Sequence, residues 1–239
     1  MIRAVIFDFG QTLVDSSIGF RKAEKEAQDR ISGDLSITDS NHFKSCYRAT
    51  REEHHQNSVL SRYKIWQVIY EKYSCQPPCQ LLRIMERNYW ETVENHTNLF
   101  PEASEVLNNL SENNYKLAII TNTQGQRGSF THRIRRYPEI TSFFSTVIVA
   151  GEDEIPPKPD AKAFSICLKK LNVAANEAVY VGDDWRNDIS GARDAGLHPI
   201  WLQHHSVDRN YPDIKEKIPV ITFLTDLLPQ LEKLQCENT

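Results

Sequence analysis

Residues 4–16 read AVIFDFGQTLVDS: four apolar residues deliver an aspartate, Asp8, and the chain then turns through Gly10. A short unbroken apolar run ending in a polar residue is the pattern of a strand covered on both faces, not of one that meets water on one side. The pattern recurs along the chain. Residues 116–120 (KLAII) precede Thr121, residues 146–149 (TVIV) precede Ala150 and Gly151, and residues 178–181 (AVYV) precede Gly182 and Asp183. A further run, 198–202 (HPIWL), follows a helix end at Gly196. Between these strands, residues 102–113, 160–171 and 187–195 carry apolar residues at helical spacing. Strand and helix in alternation predict an α/β fold with a doubly wound parallel sheet. Such sheets bind ligands at the carboxyl ends of their strands, where Asp8, Thr121 and Asp183 fall.

Residues from about 18 to 97 break this rhythm. Charged and aromatic helical stretches (FRKAEKEAQDRI, SRYKIWQVIYEKY, QLLRIMERNYWETV) follow one another with no strand ending in an acid. They predict an inserted α-helical cap, residues 17–97, between two segments of one core, residues 1–16 and 98–239. Trp66 and Tyr70, at i and i+4, are expected in the cap's own core. Arg21, Arg51 and Arg62 could meet an anionic substrate but read first as solvated helix-face charges; Arg133, Arg135 and Arg136 form a basic cluster near the expected site and likewise read first as a solvated face. Pro101 is expected to open the helix returning to the core, the His204-His205 pair to lie at the surface, and the tail CENT to be disordered.

With 239 residues, 40% hydrophobic and 25% charged, the chain can bury a substantial core. A net charge of −4 gives no ground for nucleic acid or a membrane surface as partner. No apolar run approaches the roughly 18 residues of a membrane span. Asp8 interrupts the N-terminal apolar stretch before it could serve as a signal peptide. Five cysteines, an odd number in a chain of this size, fit a reduced, cytoplasmic setting. Cys75 and Cys79, separated by a Pro77-Pro78 turn, match no usual zinc spacing and read as ordinary thiols.

Four pieces together resemble the haloacid dehalogenase superfamily of aspartate-nucleophile hydrolases: FDFGQTLVDS, IITNT, PPKPDAKAF and YVGDDWRNDISGARDAG. Each falls at an expected strand end or in the loop after it, in the order that superfamily has them. The resemblance implies Asp8 as nucleophile, Thr121, Asn122 and Lys158 as phosphoryl-binding groups, and Mg²⁺ held by Asp8, the Gly10 carbonyl and Asp183. It implies a helical cap that sets specificity and a small phosphorylated substrate, for a monomer or homodimer. A carboxylate can attack phosphorus when cations and donors offset the repulsion between two anions, and an all-oxygen donor set suits Mg²⁺. Asp184 and Asp188 read either as further ligands, as holders of Lys158, or as caps of the following helix.

In the superfamily's phosphatases an aspartate two residues after the nucleophile protonates the leaving group, a contribution of roughly 10²–10⁴ in rate. Here that residue is Gly10 and its neighbour is Gln11, neither able to do so. Three readings follow. The chain is a phosphatase restricted in its substrates, for which a branch with glycine at this point is a precedent; or a carbon-centred hydrolase acting on haloacids or phosphonoacetaldehyde; or a weak member that binds rather than turns over. Retention of Asp8, Thr121, Lys158 and Asp183 favours the first.

Overall fold

The structure, a computed structural model, describes residues 1–123, 133–207 and 209–237. These fall into two compact units. The first contains Met1–Asp15, Asn98–Thr123 and the described residues from 133 onward. Its strands are β1 (Ala4–Phe7), β2 (Val14–Asp15), β3 (Asn98–Leu99), β4 (Lys116–Asn122), β5 (Thr146–Ala150), β6 (Ala178–Gly182), β7 (His198–Leu202) and β8 (Val220–Ile221). Six of them form one sheet in the order β5-β4-β1-β6-β7-β8, parallel throughout, and β2 pairs with β3 antiparallel. The expected doubly wound parallel sheet is therefore present. From β1 the chain builds outward to β4 and β5, then crosses back to β6, so the strand order reverses at β1, the crevice-forming point in such folds.

Both faces of the sheet are covered, which explains the continuous apolar runs. Successive side chains of a strand point to opposite faces. Val5 and Phe7 accordingly pack with Val106, Leu107, Leu227 and Leu231, while Ala4 and Ile6 pack with Phe164, Cys167 and Ala192. The helices involved are Ala103–Glu112, Ala161–Leu171 and Leu227–Glu237. The last of these, and β8 before it, had no clear signal in the sequence, because β8 is only two residues long. Cys236 and Glu237 end that helix instead of joining a disordered tail; residues 238 and 239 lie outside the described residues. Pro101 stands in a turn, and the helix it was expected to open begins at Ala103. The single helix expected over 187–195 is instead a wide, π-type turn at Trp185–Ser190 running into Gly191–Asp194.

The second unit consists of four helices: α1 (Ser17–Asp34), α2 (Ser40–Gln56), α3 (Arg62–Lys72) and α4 (Cys79–Asn95). Trp66 and Tyr70 are buried in its core with Ile31, Phe43, Ile69, Leu82 and Val93. Gly19 lets α1 approach α4 closely: a Cβ there would stand 2.6 Å from the Val93 carbonyl oxygen.

The core of this unit also holds an ion pair. Arg62, expected on a solvated face, is buried with its Nη2 2.9 Å from Oε1 of the buried Glu24. The Tyr47 and Tyr89 hydroxyls donate to Glu24 at 2.8 and 2.9 Å, and Arg51 lies 3.6 Å away. Burial works to raise the Glu24 carboxyl, but Arg62 first, then Arg51 and the two phenols, hold it below the usual range. A buried pair deprived of one partner leaves an uncompensated charge, so Glu24→Gln is expected to cost about 3–5 kcal/mol. Because the folded value is lowered, this stabilisation is complete above the ordinary glutamate range and is lost as pH falls through the lowered value. Urea midpoints against pH should show that acid limb in the wild type and a flatter one in the variant. Equal midpoints at neutral pH would show that the pair contributes nothing.

Candidate active site

Asp8 immediately follows β1, and its backbone N–H donates to the Val181 carbonyl at 2.9 Å, tying the residue to β6. Thr121 and Asn122 end β4, and Asp183 follows β6. Lys158 lies in the loop before the helix Ala161–Leu171. The fold thus brings Asp8, Thr121, Lys158 and Asp183 to the carboxyl edge of the sheet, at or beside the reversal point, and all four are buried.

Lys158 is the hub. Its Nζ donates to Asp8 Oδ1 at 2.8 Å, to Asp188 Oδ1 at 2.5 Å and to the Tyr180 hydroxyl at 2.8 Å, which uses all three ammonium protons. Burial alone would depress this lysine, but Asp188 and then Asp8 more than offset it, so the ammonium stays charged. The Tyr180 hydroxyl, besides accepting from Lys158, lies 3.0 Å from the Ile120 carbonyl oxygen and 3.2 Å from Asp188 Oδ1. Burial, then Asp188 and Asp8, keep that phenol protonated. Asn122 grips the lysine's backbone in both directions: Oδ1 accepts from Lys158 N at 2.7 Å, and Nδ2 donates to its carbonyl at 3.2 Å.

Asp188 is held equally firmly. Its Oδ2 accepts from Asp184 N at 3.0 Å while Oδ1 takes Lys158, so both oxygens are engaged. Asp184 caps the wide turn, its Oδ1 accepting from Asn187 N at 2.8 Å. Only glycine fits at 182, because a Cβ there would lie 2.5 Å from Asp188 Cβ and Cγ. Of the readings open for these two acids, the geometry gives Asp188 the holding of Lys158 and Asp184 the cap.

Asp8, Asp183 and Asp188 each offer an oxygen within 4.8 Å of the other two, all buried. Burial first, with Asp188, Asp8 and Asp184 adding to it, pushes the Asp183 carboxyl well above its ordinary value, although Arg209 opposes. Arg209 was invisible in the sequence, a lone arginine in the polar segment after β7. Its guanidinium clamps Asp183 through Nη1 and Asp184 through Nη2, the latter at 2.8 Å, and its carbon lies 5.7 Å from the Tyr211 ring centroid. Four carboxylates therefore face two cations, Lys158 and Arg209. An all-oxygen, electron-rich cluster of this kind suits a hard divalent cation.

Two expectations are corrected. Arg133 is buried, not part of a solvated face, whereas Arg135 and Arg136 are exposed. His204 is also buried, stacked on Phe100 at 3.6 Å between ring centroids, with its Nε2 2.9 Å from Glu102.

The fold is a doubly wound parallel α/β sheet with a cluster of buried carboxylates at the carboxyl edge of its strands. The model of the haloacid dehalogenase-like hydrolase family matches residues 5–202, and the chain belongs to that family. Among similar proteins, a phosphoglycolate phosphatase of Yersinia pestis is 28% identical over 239 residues, covering 96% of this chain and 93% of that protein. Solved structures of the same fold include YfnB of Bacillus subtilis bound to magnesium (24% identity, TM-score 0.67, 96% of this chain and 98% of that one). They also include a 2-haloacid dehalogenase of Pseudomonas syringae (22%, TM-score 0.65, 98% and 99%). At these identities the two structures establish the fold alone. No helix among the described residues is long and apolar enough to cross a membrane.

Proposed function

We propose that the chain is a Mg²⁺-dependent phosphatase of small phosphomonoesters, working through an aspartyl-phosphate on Asp8. The observation that carries this reading is the buried Asp8–Lys158–Asp188 array, which fixes one carboxylate at the strand-reversal point beside a second acid, Asp183. Lys158 holds Asp8 by Oδ1 and so sets the direction in which the carboxylate faces a substrate. An oxygen of Asp8 attacks phosphorus, the bond to the ester oxygen breaks, and its electron pair leaves on that oxygen, which takes a proton from solvent. Water then attacks the aspartyl-phosphate, releasing phosphate and restoring the Asp8 carboxylate. Thr121 binds phosphoryl oxygens, and Lys158, whose three protons are held by Asp8, Asp188 and Tyr180, offers them its positive charge; Asn122 acts through the Lys158 backbone it holds. Asp8, Asp183 and the Gly10 carbonyl would hold the divalent cation, which supplies charge neutralisation between nucleophile and phosphoryl group. The helical unit is assigned the role of specificity cap. The phosphoglycolate phosphatase relative supports an ester of a small alcohol.

The test is phosphate release from a panel of phosphomonoesters, with 2-chloropropionate as a carbon-centred control. Release that requires Mg²⁺ and stops in EDTA is expected. Halide release with no phosphate release from any ester would replace this reading with dehalogenation.

A further inference from the structure

Tyr180 puts a polar atom where the sheet needs none. It lies in β6 on the face that packs Ala4, Ile6, Ala118 and Phe164, an otherwise apolar layer. Its ring is fully buried and meets Phe164 edge to face, 5.1 Å between centroids. Phenylalanine would fill that place equally well. A buried hydroxyl costs free energy unless it is hydrogen-bonded, so its partners show what the oxygen is for.

Those partners all belong to the candidate site or its edge. The hydroxyl accepts a Lys158 ammonium proton at 2.8 Å, while Asp8 and Asp188 take the other two. For its own proton it has two acceptors in reach, the Ile120 carbonyl at 3.0 Å and Asp188 Oδ1 at 3.2 Å. Asp188 Oδ1 already holds Lys158 and the carbonyl is nearer, which assigns the proton to Ile120. Ile120 belongs to β4 and immediately precedes Thr121. One oxygen therefore ties the lysine to the strand end that carries the phosphoryl-binding hydroxyl. An ammonium bound by two acceptors can still swing about the line joining them, and a third acceptor stops that motion. Tyr180 is the uncharged acceptor of the three, so it does this without adding to the negative charge of Asp8, Asp183 and Asp188. We infer that Tyr180 is a positioning residue of the proposed reaction, its hydroxyl holding the Lys158 ammonium in register with Asp8 and the end of β4. This rests on the phosphatase reading and adds to it a residue that acts only through the lysine.

The experiment is a double-mutant cycle of Tyr180→Phe, Lys158→Met and the two combined, read by kcat and KM for p-nitrophenyl phosphate with Mg²⁺ and by urea midpoints. Tyr180→Phe is expected to lower kcat by roughly 10–10²-fold, the scale on which misplacing a catalytic group by about 1 Å is felt, with KM within about twofold of wild type. In the Lys158→Met background the same substitution should change kcat by less than about twofold, because the group it positions is gone. Exchange of the Lys158 ammonium protons with water, followed by NMR without substrate, should be faster in Tyr180→Phe than in wild type. Equal loss of kcat in both backgrounds overturns the inference, since the hydroxyl then acts without the lysine. So does a Tyr180→Phe variant that keeps wild-type kcat, or one that does not fold, the mark of a hydroxyl retained for the fold alone. Failure of the phosphatase reading is separately visible: ester turnover would then not depend on Asp8, whereas proton exchange would still report whether Tyr180 holds Lys158.

Discussion

Asp8→Asn is expected to lower phosphate release by at least roughly 10⁴-fold, the order seen when a nucleophile is removed from a site whose other groups remain. The substitution is nearly isosteric and keeps an oxygen for the Lys158 ammonium, which now donates to Asp8 Oδ1 at 2.8 Å. What is lost is the negative charge and with it the nucleophile, because a neutral amide oxygen does not form the phosphoryl ester. Binding should suffer less than turnover, and the urea midpoint should move little. Single-turnover measurement with a phosphomonoester separates these effects. An Asn variant that keeps activity within tenfold of wild type would move the nucleophile elsewhere and sink the proposed mechanism.

Lys158→Met should damage both activity and folding. Methionine can fill the space of the lysine stem, but Asp8 and Asp188 then lose the cation that lies 2.8 and 2.5 Å from them. Two neighbouring buried carboxylates then repel each other with no cation between them. Breaking a buried ion pair costs about 3–5 kcal/mol. Turnover should fall by roughly 10²–10³-fold, the scale for losing a preorganised donor to developing charge. Equilibrium unfolding and kcat on the same preparations test the two parts. A variant as stable as wild type with only KM raised would show that Lys158 binds substrate without organising Asp8.

Much of this site was legible one residue at a time. Asp8, Thr121 and Asp183 each sit at the end of an apolar run, and position at a strand end is a local property that spacing alone reveals. Lys158, between Pro157 and Pro159, stood out only through the resemblance of PPKPDAKAF to the superfamily's motif, since by itself it reads as a loop lysine. The helical character of residues 18–97 was equally plain, since apolar periodicity along a helix does not depend on distant partners. Arg62, Arg133, His204 and Arg209 were not legible. Each is a polar residue in a polar stretch, and such a residue is ordinarily solvated. Each is buried or clamped here only because its partner (Glu24, the Phe9–Gly10 turn, Phe100 with Glu102, or Asp183) arrives from elsewhere in the chain.

The sequence by itself determined the alternation of strands and helices and the acids at the strand ends, because these depend on neighbours within a few residues; that position 10 lacks a carboxyl group carries meaning only through the resemblance. The tertiary structure decided which of Asp184 and Asp188 holds Lys158, which arginines are buried, and what stands beside Gly10. Those are questions of charge pairing in a low-dielectric interior. Their answers depend on which groups the parallel crossovers bring within about 3 Å of one another, a distance over which pairing outweighs the cost of leaving water only when the geometry is right.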